Sequence, residues 1–276
     1  MGAMPSAVPP VGGVPSTDSP PPSEEQWRRL LVDQAPFLGR RRFHARLPSS
    51  PRCKLCAAPF SGPGGLVMRF AGHARWAKNP KYCTGCFRML SSNHGGAEIE
   101  CSLLFADVRG STTLAESMSP REFNRLMGRF HDTATDVLVD HDGIVDKFVG
   151  DEIIGIFVPA MASPQHAARA VDAARALLAA TGMGTSSGPW VPIGIGVNTG
   201  VAYVGSIGDS SDTEMTAMGD VVNVTARLSS VAAAGEVLVT AATAAAAGLP
   251  GDLPRRSLQL KGKSQTTDVV VVTGSR

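Results

Sequence analysis

A chain of 276 residues, 43% hydrophobic and 18% charged, is too apolar to be wholly disordered and long enough for about two domains. No run approaches about 18 uninterrupted apolar residues, and the N-terminus lacks the basic-then-apolar layout of a signal peptide, so a transmembrane segment is excluded and a cytoplasmic location is expected. The net charge of +2 hides a split: residues 1–97 carry 13 Lys and Arg against 4 Asp and Glu, whereas residues 98–276 carry 13 against 20, as two units with different tasks would.

Residues 1–23 are dominated by Pro, Gly, Ser, Ala and Val and read as a disordered Pro-rich tail. Ser23-Glu24-Glu25-Gln26 forms a capping box for a short helix over Trp27–Ala35, before Pro36. Residues 48–97 are rich in Pro and Gly with little periodicity, so residues 24–97 read as a small basic domain that needs a staple. From residue 98 the texture changes. Ile99–Ala106 has the length and apolarity of a strand, and Ser119-Pro120-Arg121-Glu122 caps a helix whose core face runs from Phe123 to Leu138. Gly143–Val149 and Glu152–Val158 form a hairpin turning at Gly150-Asp151. Ser163-Pro164 opens a second helix, Val191–Val197 and Val201–Ile207 are two strands around Asn198-Thr199-Gly200, and a third helix spans Asp220–Val231. Short strands follow near 236–240, 257–260 and 268–272. The expected class is α+β, a ferredoxin-like split βαβ arrangement with its helices on one face of an antiparallel-rich sheet.

Four places carry candidate chemistry. Asp107 ends the first strand before a small-residue turn, Arg109-Gly110-Ser111-Thr112, where a carboxylate either binds a hard cation or caps the next helix. Asp151 occupies the hairpin tip, and Lys147 stands mid-strand between Val145 and Val149, where a solvent-facing lysine is the ordinary explanation. Asn223 and Arg227, four residues apart, share one stripe of the third helix. Lys261 lies in a basic loop, Leu260-Lys261-Gly262-Lys263.

Taken in order and spacing, these segments resemble the catalytic domain of class III nucleotidyl cyclases over about residues 98–276. Leu104–Thr112 is similar to the family's first metal motif, and Lys147-Phe148-Val149-Gly150-Asp151 to its base-selecting lysine followed by the second metal aspartate. Gly219–Arg227 is similar to its transition-state helix. The resemblance implies an adenylyl cyclase that converts ATP to 3′,5′-cyclic AMP and pyrophosphate. Two Mg²⁺ or Mn²⁺ ions would sit on Asp107 and Asp151, and Arg227 would meet charge on the α-phosphate. Asn223 would orient the ribose, and Lys261 would hold the triphosphate. It also implies a homodimer with head-to-tail shared sites, Asp107 and Asp151 coming from one protomer and Lys147, Thr216, Asn223, Arg227 and Lys261 from the other. Thr216 stands where many members carry an aspartate that accepts from the adenine amino group; a hydroxyl accepts the same bond without the charge. Lys147 favours adenine, because it donates to the unprotonated N1.

Cys53, Cys56, Cys83 and Cys86 form two C-x2-C pairs, close to zinc-ribbon spacing, and four thiolates there would hold a structural Zn²⁺; a redox site or an iron–sulfur cluster is the alternative. Cys101, inside the first strand, reads as a buried thiol. The basic unit is expected to dock on the acidic domain rather than bind nucleic acid through Arg40–Arg42, Arg46, Arg69, Arg75 and Trp76. A second reading of the whole chain is a catalytically weak cyclase-like signalling module whose basic zinc domain binds nucleic acid or another partner.

Overall fold

The computed structural model describes residues 24–33, 37–48, 51–53, 55–76, 82–92, 94–207 and 214–273. The expected tail at 1–23, the cap at Ser23 and the helix end at Ala35 lie outside the described residues.

Four short helices come first: α1 (Glu24–Val32), α2 (Phe37–Arg46), α3 (Gly62–Phe70) and α4 (Thr84–Ser92). The first replaces the expected Trp27–Ala35 helix. It buries Trp27 and Leu31, one turn apart, and starts on two acidic residues that suit a helix N-terminus. The helix α3 breaks the pattern expected of a Pro/Gly-rich stretch. Its glycines are demanded by packing, since a Cβ on Gly64 would stand 2.7 Å from the Pro48 carbonyl oxygen and one on Gly65 2.5 Å from the Phe60 backbone.

The strand β1 (Gly95–Val108) leads into α5 (Ser111–Ser117), α6 (Pro120–Asp140) and the hairpin β2 (Ile144–Val149) and β3 (Glu152–Phe157). The capping box on α6 is formed: Ser119 Oγ accepts from the Glu122 N–H, and Glu122 Oε2 accepts from the Ser119 N–H at 2.9 Å. After α7 (Pro159–Ala162) and α8 (His166–Ala180) come β4 (Ile193–Ile207), β5 (Glu214–Met218) and α9 (Asp220–Val231). The chain ends with β6 (Glu236–Thr240), α10 (Ala241–Ala246), β7 (Arg255–Leu258) and β8 (Thr267–Thr273). One sheet runs β2-β3-β1-β4-β6-β8-β7, with β5 added to β4; β4 and β6 are parallel and the other pairs antiparallel. Its first four strands, with α6 and α8 as crossovers, make the split βαβ core.

Three expectations are corrected here. Helices cover both faces of the sheet, not one. Leu104, Ala106 and Val108 pack with α6 and α8, whereas their neighbours Leu103 and Phe105 share a cluster with Trp27, Leu31, Tyr82, Phe87 and Val221. The two strands expected around Asn198-Thr199-Gly200 are one continuous strand, paired with β1 from Gly95↔Ser206 to Val108↔Ile193. There Asn198 donates to the Val221 carbonyl and accepts from Thr240, so a turn-prone side chain is satisfied inside a sheet. The second crossover helix starts at His166 rather than at Ser163-Pro164, because Ser163 adopts φ 63° and separates it from α7.

Candidate active site

Two groups of side chains gather at different parts of the sheet. At the end of β1, Asp107 meets the tip of the β2–β3 hairpin. The Val108 N–H donates to the Asp151 carbonyl at 3.3 Å, and Asp107 pairs with Glu152 in the strand register. The Asp107 carboxyl is pushed up to about 6. Burial is the main cause, and the neighbouring Asp151 carboxylate adds to it while Arg109 pulls the other way. Glu152 is also raised, first by burial, against a hydrogen bond it accepts from Ser229 Oγ at 2.9 Å on α9. Arg109 pairs with Asp107 and donates to the Ser230 carbonyl at 2.9 Å, tying the end of α9 to the same place. Three carboxylates with a single arginine among them are chemically suited to divalent cations: like charges at close range, half-withdrawn from water, are relieved by a metal. Asp107 and Asp151 are thus brought together as expected. Glu152 and Arg109 were not singled out in the sequence, although Arg109 stands two residues from Asp107 and so on the same side of an extended chain.

The second group lies between β2 and β5. Lys147 Nζ donates to Thr216 Oγ1 at 3.0 Å, and Thr216 Oγ1 donates to Asp146 Oδ2 at 2.8 Å. One hairpin therefore sends Asp151 toward β1 and Lys147 toward β5. The alternation Val145–Lys147–Val149 expected of a regular strand is broken: Val145 is fully buried and Val149 is 53% exposed. A bulge between Val145 and Phe148 is the reason.

Asn223 is exposed and Arg227 half-buried on α9. The C-terminal loop closes on the same helix. Lys263 pairs with Asp220 at 2.6 Å, and the Arg227 guanidinium lies against Gly262, where a Cβ would come within 3.3 Å of Nη2. Lys261 is exposed beside it.

The four N-terminal thiols converge. The sulfurs of Cys53, Cys56, Cys83 and Cys86 all lie within 4.8 Å of one another and all four residues are buried. Backbone N–H groups of Cys83 and Cys86 point at Cys53 Sγ (3.3 Å) and Cys83 Sγ (3.5 Å). Hydrogen bonds from Cys53, Cys56 and Cys86 hold the Cys83 thiol well below the usual thiol range. A buried tetrad of sulfurs supplied with N–H donors fits a tetrahedral thiophilic ion. The unit is fastened to the sheet domain by polar links. Buried Arg41 donates to the Leu55 and Gly143 carbonyls, Arg42 pairs with Asp142 at 3.4 Å, Arg52 pairs with Asp136 at 3.4 Å, and Tyr82 Oη accepts from the Met215 N–H at 3.3 Å.

Residues 96–272 match the family of the adenylate and guanylate cyclase catalytic domain. Adenylate cyclase 1 of Rhizobium meliloti is 31% identical over 202 residues, 67% of this chain and 30% of that protein. The chain spans about a third of the length of such relatives. The solved guanylyl cyclase Cya2 is 30% identical, with a TM-score of 0.58 over 64% of this chain and 93% of its own. The adenylyl cyclase CyaB of P. aeruginosa is 26% identical, with a TM-score of 0.56 over 65% of this chain and 96% of its own. These two neighbours differ in the base they act on. Among the described residues, no helix is long and apolar enough to cross a membrane.

Proposed function

The chain belongs to the adenylate and guanylate cyclase catalytic domain family, and from that premise we propose that it is an adenylyl cyclase, forming cyclic AMP and pyrophosphate from ATP. The observation that carries this reading is the contact of Lys147 with Thr216. It sets a donor beside an acceptor, and adenine offers the complement, an unprotonated N1 beside an amino group. Guanine presents a proton at N1 and a carbonyl at C6, so both positions would be mismatched.

Asp107 and Asp151 are the residues to hold two Mg²⁺ or Mn²⁺ ions, which when bound lower the pKa of the 3′-hydroxyl and neutralise phosphate charge. Arg227 places a guanidinium where charge grows on the α-phosphate. Asn223, exposed on the same stripe of α9, orients the ribose, and Lys261 receives the leaving pyrophosphate. Arg109 and the hydrogen bond from Ser229 to Glu152 fix the carboxylates against the end of α9.

The two groups act on opposite ends of one nucleotide. We assign them to different protomers of a head-to-tail homodimer, Asp107 and Asp151 from one and Lys147, Thr216, Asn223, Arg227 and Lys261 from the other. The cluster of four cysteines holds one structural zinc, whose role is to close the Pro/Gly-rich stretch of the basic unit on itself. Cyclic AMP formation from ATP, compared with cyclic GMP formation from GTP in the presence of Mn²⁺, tests the assignment; a preference for GTP overturns it.

A further inference from the structure

The bulge in β2 sets two consecutive residues around one hydroxyl. Val145 stands opposite Gly155 and Phe148 opposite Ile153, so β2 spends one residue more than β3 between these pairs. Neighbours on a regular strand point to opposite faces; the extra residue cancels that alternation. Asp146 and Lys147 both reach Thr216, at 2.8 Å and 3.0 Å from the same oxygen. Asp146 is 2% exposed and Thr216 7%, and Lys147 Nζ lies 3.6 Å from Asp146 Oδ1.

A hydroxyl has one proton and two lone pairs. An ammonium only donates, so Lys147 occupies one lone pair of Thr216. An ionised carboxylate only accepts, so Asp146 takes the proton. Thr216 is left with one lone pair and nothing to donate. The geometry points to Asp146 as a positioning residue that determines base specificity: by holding the Thr216 proton it commits that hydroxyl to accept, so the pocket takes a purine with an amino group at C6 and rejects one with an acceptor there. This rests on the adenylyl reading above and adds a residue to it. A threonine hydroxyl free to rotate would serve either base, donating to a carbonyl as readily as it accepts from an amine. The discrimination therefore belongs to the pair, Asp146 behind Thr216, and Lys147 adds the reading of N1.

Two analogues test this on the unaltered protein. N6-methyl-ATP and 6-methoxypurine riboside triphosphate both leave N1 unprotonated and carry substituents of similar size, but only the first has a proton to give at position 6. A committed acceptor binds N6-methyl-ATP about tenfold or more tightly, read as displacement of a fluorescent ATP analogue, because a site built around one hydrogen bond leaves its polar group opposed when that bond is missing. Equal binding overturns the inference, and that result stands even where no variant folds. In Asp146→Asn the amide nitrogen can donate to Thr216 and release its proton. The ratio of kcat/KM for ATP over GTP should fall about tenfold, Thr216→Val should lose the same discrimination, and the double variant should be no worse than either. A parallel fall with both nucleotides at an unchanged ratio marks a merely structural role and overturns the inference. A wild-type protein that prefers GTP overturns the adenylyl reading and this inference with it.

Discussion

Asp107 is held away from its ordinary state in a way that makes its chemistry depend on pH. Its carboxyl rises from 3.8 to about 6 on folding, chiefly through burial. The sign follows from linkage: a group whose folded pKa is raised contributes most at low pH, so its contribution to the metal-free protein is lost between about pH 4 and pH 6. In the proposed metal role of Asp107, a divalent cation reverses that loss and below pH 6 must displace a proton, so affinity for Mn²⁺ should drop about tenfold for each further pH unit. Thermal unfolding with and without Mn²⁺ should show a larger rise in Tm at pH 8 than at pH 5; equal rises at both would exclude Asp107 as a ligand. Lys147 supports a second residue-scale prediction. In the proposed adenine site, Lys147→Glu replaces the donor to N1 with an acceptor and should cut kcat/KM for ATP by about a hundredfold or more, with folding unchanged by circular dichroism.

Elements show where local sequence and tertiary context agree. The helix α9 occupies the expected Asp220–Val231 because its apolar positions repeat at helical spacing, and it lies close on β4: a Cβ on Gly196 would meet the Ser229 nitrogen and the Thr225 carbonyl oxygen at 2.6 Å each. Gly196→Ala should therefore cost about 2–3 kcal/mol in urea unfolding, since backbone cannot yield as a side chain would. Gly128 gives the opposite sign. It sits inside α6 with nothing within 4 Å of its Cβ position, and Gly128→Ala should stabilise by about 0.5–1 kcal/mol. Legibility divided along the same line. The capping box of α6, the β2–β3 hairpin and the apolar face of α8 rest on local chemistry and were readable. The continuity of β4 through Asn198 and the strand β5 depend on partners far along the chain and left no local trace, and the bulge at Asp146, though inside a legible hairpin, has no signature in the alternation of residue types. Lys147 and Asp151 are legible through the resemblance of their segment to a family motif, not through local chemistry, and Asp146, Glu152 and Tyr82 have no role in that resemblance.

At the scale of the whole molecule, the proposed sharing of sites between protomers predicts complementation. Asp107→Ala and Asn223→Ala should each be nearly inactive, and subunit exchange between them should restore activity, since a mixed dimer has one site carrying both lesions and one carrying neither. Verified heterodimers that stay inactive would refute the shared site. Metal analysis should find one zinc per chain, lost in Cys83→Ser together with a lower Tm; no metal, or a brown iron–sulfur chromophore, would refute the zinc assignment. The polar links between the basic unit and the sheet have a further, kinetic consequence. Arg41 meets Gly143 across 102 positions and Tyr82 meets Met215 across 133. During synthesis the thiol unit emerges first, long before the surface that completes its core exists. Closing loops of such length is slow, and because β1 itself pairs with β4 across comparable separations, the surface that the unit meets exists only once the sheet has closed. The unit should thus dock in a slow final phase of refolding, visible as delayed quenching or shift of Trp27 fluorescence after the sheet has acquired its secondary structure. Trp27 burial in step with the sheet would show that the two halves fold as a single nucleus.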